Sequence, residues 1–348
     1  SGISLIVLVI TIIVIIILAV AVILSIANNN PIENANKAKT ANNEKTLEEA
    51  ANLIYSDWYT KNKLEKTTEK PGEYVENGLK NQGFSDEDIA RVSATEDGIS
   101  LVTVPNGFVI SKATGENRVS KGLVIYEGTT PVTDENVTDA KKTRNQFVWV
   151  PVNDMKNFVR EAGYSSSGMQ STFGKTSEPS KDADDVDKQE YSDMMSSITK
   201  YHGFYIARYE ASKDETADKA QSLINKKPLE ALLWNKSVSY SRELYSYNRE
   251  GIKEKDAIST LVYGVQWDQT VRWLSKTNYE GIEKITDVKY GNFSSSVVNT
   301  GSNENYSLNN IYDMRGNVQE VTMEGMGTTG WYTCRGAWYL MPHWSISF

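Results

Sequence analysis

From Ile3 to Ala27 the chain runs for 25 residues without a charge, and Ser4, Thr11 and Ser25 are its only polar side chains there. The first acidic or basic residue of the protein is Glu33. A run of this kind cannot be left in water. At ~1.5 Å per residue a helix of this length reaches roughly 37 Å, enough to cross ~30 Å of hydrocarbon. Its many Ile and Val residues are mediocre helix formers in water, but a backbone in an apolar medium must satisfy its own hydrogen bonds, and this imposes a helix. The three hydroxyls can bond back to carbonyls one turn earlier. A secretory signal peptide has a shorter apolar core and a basic flank. A core helix of a globular domain keeps a polar face, and this run has none. The sequence therefore predicts an apolar transmembrane helix over residues 1–30, with Ile3, Leu5, Ile6, Val7, Ile10, Ile13, Ile17, Val20 and Leu24 as its packing positions.

The remainder reads as a water-soluble, acidic polypeptide. The 348 residues carry 37 Lys and Arg against 45 Asp and Glu, a net charge of −8, with no basic run. Nucleic acid is accordingly not an expected partner. Cys334 is the one cysteine, so an intrachain disulfide and paired-cysteine metal or redox chemistry are excluded. The two histidines, His202 and His343, show no ligand spacing. At about 150 residues per domain the length suits two domains or one large one.

Asn28-Asn29-Asn30-Pro31 is a helix-breaking cluster, and Pro31 lacks an N–H to give, so a break is expected at Asn30 and Pro31. Helical sequence resumes beyond it. Leu47, Ala51, Ile54 and Trp58 are spaced four, three and four apart, one stripe of an amphipathic helix over residues 31–70. Gly2-Ile3-Ser4-Leu5-Ile6-Val7 resembles the Gly-Phe-Thr-Leu-Ile-Glu junction of type IV pilin precursors. In that family a prepilin peptidase cuts after the glycine, and the apolar helix passes from the membrane into the core of an extracellular filament. Val7 departs from the family's Glu, and Ser1-Gly2 precede the expected cut.

Pro71 ends the helical pattern, and residues 71–100 read as a small connecting region. Within it Ser85, with acidic residues up to three positions later, looks like the cap of a short helix. The runs ISLVTV, GFVIS and GLVIYEG, separated by turn residues, read as strands. Asp182, Asp184, Asp185 and Asp187 form an acidic run that could hold calcium, although the glycine and terminal glutamate of an EF-hand spacing are missing and a solvated loop fits it better. No other cofactor is expected. Asn-x-Ser/Thr triplets occur at Asn136, Asn235, Asn292 and Asn305, and the Ser/Thr/Asn-rich stretches 164–180 and 292–307 read as exposed loops.

Four further segments carry a second resemblance: QFVWVPV at 146–152, GFYIARYEAS at 203–212, STLVYGVQWDQTVRWLS at 259–275, and NNIYDMRGNVQEVTMEG followed by RGAWY at 309–325 and 335–339. Together they resemble the formylglycine-generating enzyme, or sulfatase-modifying factor, domain, a strand-poor relative of the C-type lectin fold. The resemblance implies an irregular α+β head over residues 101–348, with Tyr312, Asp313, Gly316, Asn317 and Glu320 in its signature loop. Asp313, Gly316 and Asn317 are turn-forming residues, and such a loop folds around its own hydrogen bonds or a bound cation. Trp267, Trp273, Trp331 and Trp338 are expected in the core. Catalytic members of that family use a cysteine pair, which a chain with one cysteine does not have, so the head is expected to display or bind rather than to catalyse.

The fold class expected from the sequence is thus α+β: a long N-terminal apolar α-helix followed by an irregular lectin-like head. The expected function is a structural subunit of a pilus-like extracellular filament, held in the membrane before assembly. Its partners would be its own copies, the assembly machinery with its prepilin peptidase, and a surface glycan or protein ligand. The alternative is a single-pass membrane-anchored lectin-like binding protein.

Overall fold

The computed structural model describes residues 31–66, 68–160, 185–245, 257–277, 291–326 and 331–336. The chain divides into two compact units, Ser1–Ala50 and Ala51–Phe348. In the first, the described residues form the N-terminal part of helix α1, which spans Pro31–Glu65. Pro31 is the first described residue of that helix. Leu47, Ala51, Ile54 and Trp58, the stripe spaced four, three and four apart, are all buried.

The expected fold class is corrected here. Among the described residues the protein is α+β with seven α-helices and several small sheets, and no helix is long and apolar enough to cross a membrane. The one long described helix, α1, is rich in Asn, Lys and Glu. The apolar stretch with its packing positions from Ile3 to Leu24, and Asn30, lies outside the described residues.

In the second unit, helix α2 (Pro71–Asn81) lies against α1, with Gly78 beside Ile54 and the Tyr74 hydroxyl bonded to Asp57, and α3 (Asp86–Ala90) follows it. Pro71 starts a helix rather than only ending one. Ser85 caps α3, accepting from the Asp88 N–H at 3.1 Å while its hydroxyl donates to the Asp88 carboxylate at 2.6 Å. Strands β1 (Val92–Thr95) and β2 (Gly98–Leu101) form a hairpin. The Asn153 carboxamide ties it to the chain after β5, donating to the Gly98 carbonyl at 2.8 Å.

The scaffold of the unit is a four-stranded antiparallel meander of β3 (Phe108–Ile110), β4 (Val124–Glu127), β5 (Gln146–Pro151) and β6 (Gly203–Ala207). Helix α4 (Val137–Thr143) sits between β4 and β5, and α5 (Asp185–Tyr201) leads into β6. The alternation along β5 assigns its two faces. Val148 and Val150 enter the larger core with Val124, Tyr126 and Phe204. Trp149 points the other way, into a smaller core with Ala90, Val102, Val119 and Leu123. A Cβ at Gly203 would stand 2.3 Å from the Trp149 ring, so only glycine lets β6 pass this indole. Each large apolar side chain buried here contributes about 1.5–3 kcal/mol.

Short pairs complete the unit: β7 (Ser212–Lys213) with β8 (Ala220–Gln221), β9 (Ser307–Leu308) with β10 (Ile311–Tyr312), and β11 (Glu320–Met326) with β12 (Trp331–Arg335). Helix α6 (Trp234–Leu244) and helix α7 (Gly264–Thr277) add the remaining layer. Helix α7 is joined to β5 by the Gln269 amide, which donates to the Pro151 carbonyl at 2.8 Å. Just ahead of the helix, the Val262 carbonyl accepts from the β11 amide of Met323 at 2.9 Å. Trp267 and Trp273 are buried on α7. Trp338 lies outside the described residues, as does the side chain of Trp331.

Candidate functional site

The four distant segments singled out in the sequence meet in one place. QFVWVPV is β5, GFYIARYEAS is β6 and its extension, STLVYGVQWDQTVRWLS carries α7, and YDMRGNVQE forms the turn from β10 to β11. The Tyr312 N–H donates to the Arg208 carbonyl at 2.9 Å, which docks the turn on the extension of β6.

That extension holds two buried charged centres. The first is Arg208, almost fully buried, whose guanidinium donates to Glu116 at 2.7 Å, to the Tyr126 hydroxyl at 3.0 Å, to the Gln146 side-chain oxygen at 3.2 Å and to the Asn310 side-chain oxygen at 3.1 Å. Lys141 adds an ion pair to Glu116 at 3.3 Å. Burial is the largest influence and would raise the Glu116 carboxyl, but the charges of Arg208 and Lys141 together with the hydrogen bonds from Arg208 and Ser111 outweigh it and hold the group below its ordinary value. The Arg208 guanidinium also lies over the rings of Tyr209 and Tyr312, at 5.5 and 5.8 Å. The Asn310 amide reaches the carbonyls of Gly115, Lys121 and Gly122 at 2.8, 3.1 and 2.8 Å.

The second centre gathers three acids. Glu210 accepts from the Asn317 amide at 2.6 Å and from the Val318 N–H at 3.0 Å. Asp313 is buried and accepts from the Gly301 N–H at 3.3 Å through one oxygen, while its Oδ1 has no hydrogen-bond partner. Glu320 buries its Oε2, also without a hydrogen-bond partner, beside the Trp267 indole. Burial is the largest influence on all three and moves each upward. For Glu210 the repulsion of Asp313 and Glu320 adds to it, and for Glu320 that of Asp313. Asp313 is pushed up to about 6, and both glutamates stand well above the usual carboxyl range.

The turn that presents these acids is built from left-handed residues. Asp313, Gly316 and Asn317 have φ of 59°, 80° and 57°. A Cβ at Gly316 would meet the Asn292 carbonyl oxygen at 2.5 Å. Asn317 fastens the turn to the 291–301 loop: its side-chain oxygen accepts from Asn292 and from the Val298 N–H, each at 2.9 Å. The stretch 292–307 is largely the exposed loop its composition suggests, with two buried anchor residues. Asn292 and Thr300 are buried, and Asn292 is closed to a glycan.

Tyr312, Asp313, Gly316, Asn317 and Glu320 are thus brought together, with Glu210 between them. Arg208, Glu210 and Glu116 were missed from sequence. The visible signal was an Arg and a Glu flanking Tyr209 at the end of an otherwise apolar strand pattern. In the acidic run, Asp182 and Asp184 lie outside the described residues, and Asp187 pairs with Arg242 at 2.7 Å on α5. Among the described residues no three His, Cys, Asp or Glu side chains converge as a metal-ligand set. In comparisons with known proteins, no family model, no curated protein and no solved structure matches this chain.

Proposed function

We propose that this protein is the structural subunit of an extracellular, pilus-like filament, with its apolar N-terminal segment buried among the segments of neighbouring copies and its α+β head on the outside. The observation that carries the reading is the uncharged run Ile3–Ala27 joined to a head that keeps its own core. Leaving the run in water would cost about 1.5–3 kcal/mol for each large side chain, so it needs lipid or other copies of itself. Lipid satisfies such side chains as well as a neighbouring copy does, so the move from membrane to filament requires an assembly machine and, by resemblance at the Gly2 junction, a prepilin peptidase. The head then decorates the cell surface, where it is placed to hold a glycan or protein ligand.

Electron microscopy of material sheared from producing cells, with and without residues 3–27, tests the reading. Ordered filaments from the full chain and none from the deletion are expected. Full-length protein found only as monomers in the membrane fraction would make it a membrane-anchored binding protein instead.

A further inference from the structure

The acids at the end of β6 repel one another. On the extension of β6, the Arg208 guanidinium turns away to Glu116. On β12, Arg335 stands opposite Glu320 in the ladder with β11, pairs with Asp268 of α7 and lies over the Trp267 ring. On the turn itself, Arg315 lies over the Phe293 ring, with 5.3 Å to its centroid. The 291–301 loop carries no charged side chain. Among the described residues, the charges that raise Glu210 and Glu320 beyond the effect of burial are those of the other acids of the cluster. Two of their oxygens are buried with nothing to accept from. Buried carboxylates in this arrangement cannot all be ionised, because each loses hydration and repels the next.

We propose that Glu210, Asp313 and Glu320 form a proton-held clasp: with protons on the cluster the Tyr312–Glu320 turn stays seated on the 291–301 loop and the end of β6, and the charges that develop as the pH rises release it. A carboxyl raised by folding holds its proton more tightly in the folded protein than in the open one. Its contribution is complete below the open-state value near 4 and is lost as the pH climbs through the folded value, about 6 for Asp313 and higher for the glutamates. The clasp therefore favours mildly acidic surroundings.

The test is hydrogen–deuterium exchange on the full chain in detergent micelles, from about pH 5 to about pH 8.5 with EDTA present, corrected for intrinsic exchange. The amides of Val298, Gly301, Asn317 and Val318 report on the clasp, and those of β5 serve as the internal reference. Protection of the four amides is expected to fall by up to about tenfold per pH unit for each proton released on opening, while β5 stays protected. Glu210→Gln and Asp313→Asn should each flatten that dependence. Should either variant fail to fold, the wild-type profile decides alone. Protection that does not change with pH overturns the proposal. So does recovery of protection at high pH on adding calcium, since a cation rather than a proton would then hold the clasp.

Discussion

Arg208 and Gly316 show how much of this head rests on single residues. Removing the Arg208 charge leaves the buried Glu116 with only Lys141, at 3.3 Å, to balance it, and Arg208→Met is expected to cost about 3–5 kcal/mol. Adding Glu116→Gln should return most of that loss, because the double variant no longer buries a lone charge. Urea unfolding of the two variants measures both effects, and equal losses would mean that packing rather than charge is at stake. Gly316→Ala meets a left-handed backbone and a carbonyl oxygen 2.5 Å from the new carbon, and is expected to cost about 2 kcal/mol or more. Gly115→Ala is the control: it has a similar φ of 83° but open space around it, and should cost less. Gly316 could be marked from sequence as a turn residue. Its crowding could not, because Asn292 approaches it from a segment 24 positions earlier.

At the scale of elements, period and caps were legible wherever they acted locally. The four-three-four spacing on α1, the Ser85 cap and the strand runs of the meander all name their own structure. Helix α2 did not, since Pro71 reads equally as a stop and as the first residue of a new helix, and Gly72 and Gly78 weaken the helical pattern. Gly78 is there for tertiary reasons: a Cβ would lie 2.7 Å from the Ile54 side chain on α1. Gly78→Ala, which by propensity alone should stabilise a helix by about 1 kcal/mol, is therefore expected to destabilise the protein, and adding Ile54→Ala should reverse the sign of the alanine's effect. A double-mutant cycle in thermal unfolding reads the coupling, and additive effects would show that α1 and α2 yield to the methyl group. The acids at Glu210, Asp313 and Glu320 were only half legible for a related reason. A signature loop can be seen in a sequence, but the residue that lies between its acids belongs to another strand.

Across the molecule, the ends of the described head are tied to its beginning. The Tyr312 N–H bonds the Arg208 carbonyl, Met323 bonds Val262, and the Asn310 side chain bonds carbonyls on the first connection of the meander. A chain cut after residue 245 would keep all four strands of the central sheet yet leave Arg208 short of Asn310 and the larger core short of α7. Such a fragment is expected to show no cooperative thermal transition by circular dichroism, and a sharp one would mean that the meander is a folding unit by itself.

The tie made by Asn310 also sets a timetable. Its bond to Gly115 closes a gap of 195 positions. At about 5–20 residues per second, a ribosome that has released β3 and β4 needs roughly 10–40 s to deliver the side chain that satisfies the connection between them. The apolar run leaves the ribosome ahead of the head, long before the head can close. Newly made chains would therefore gather at their greasy ends while the head is still open, and a cell producing them in quantity has to keep those half-finished sheets apart for the whole interval.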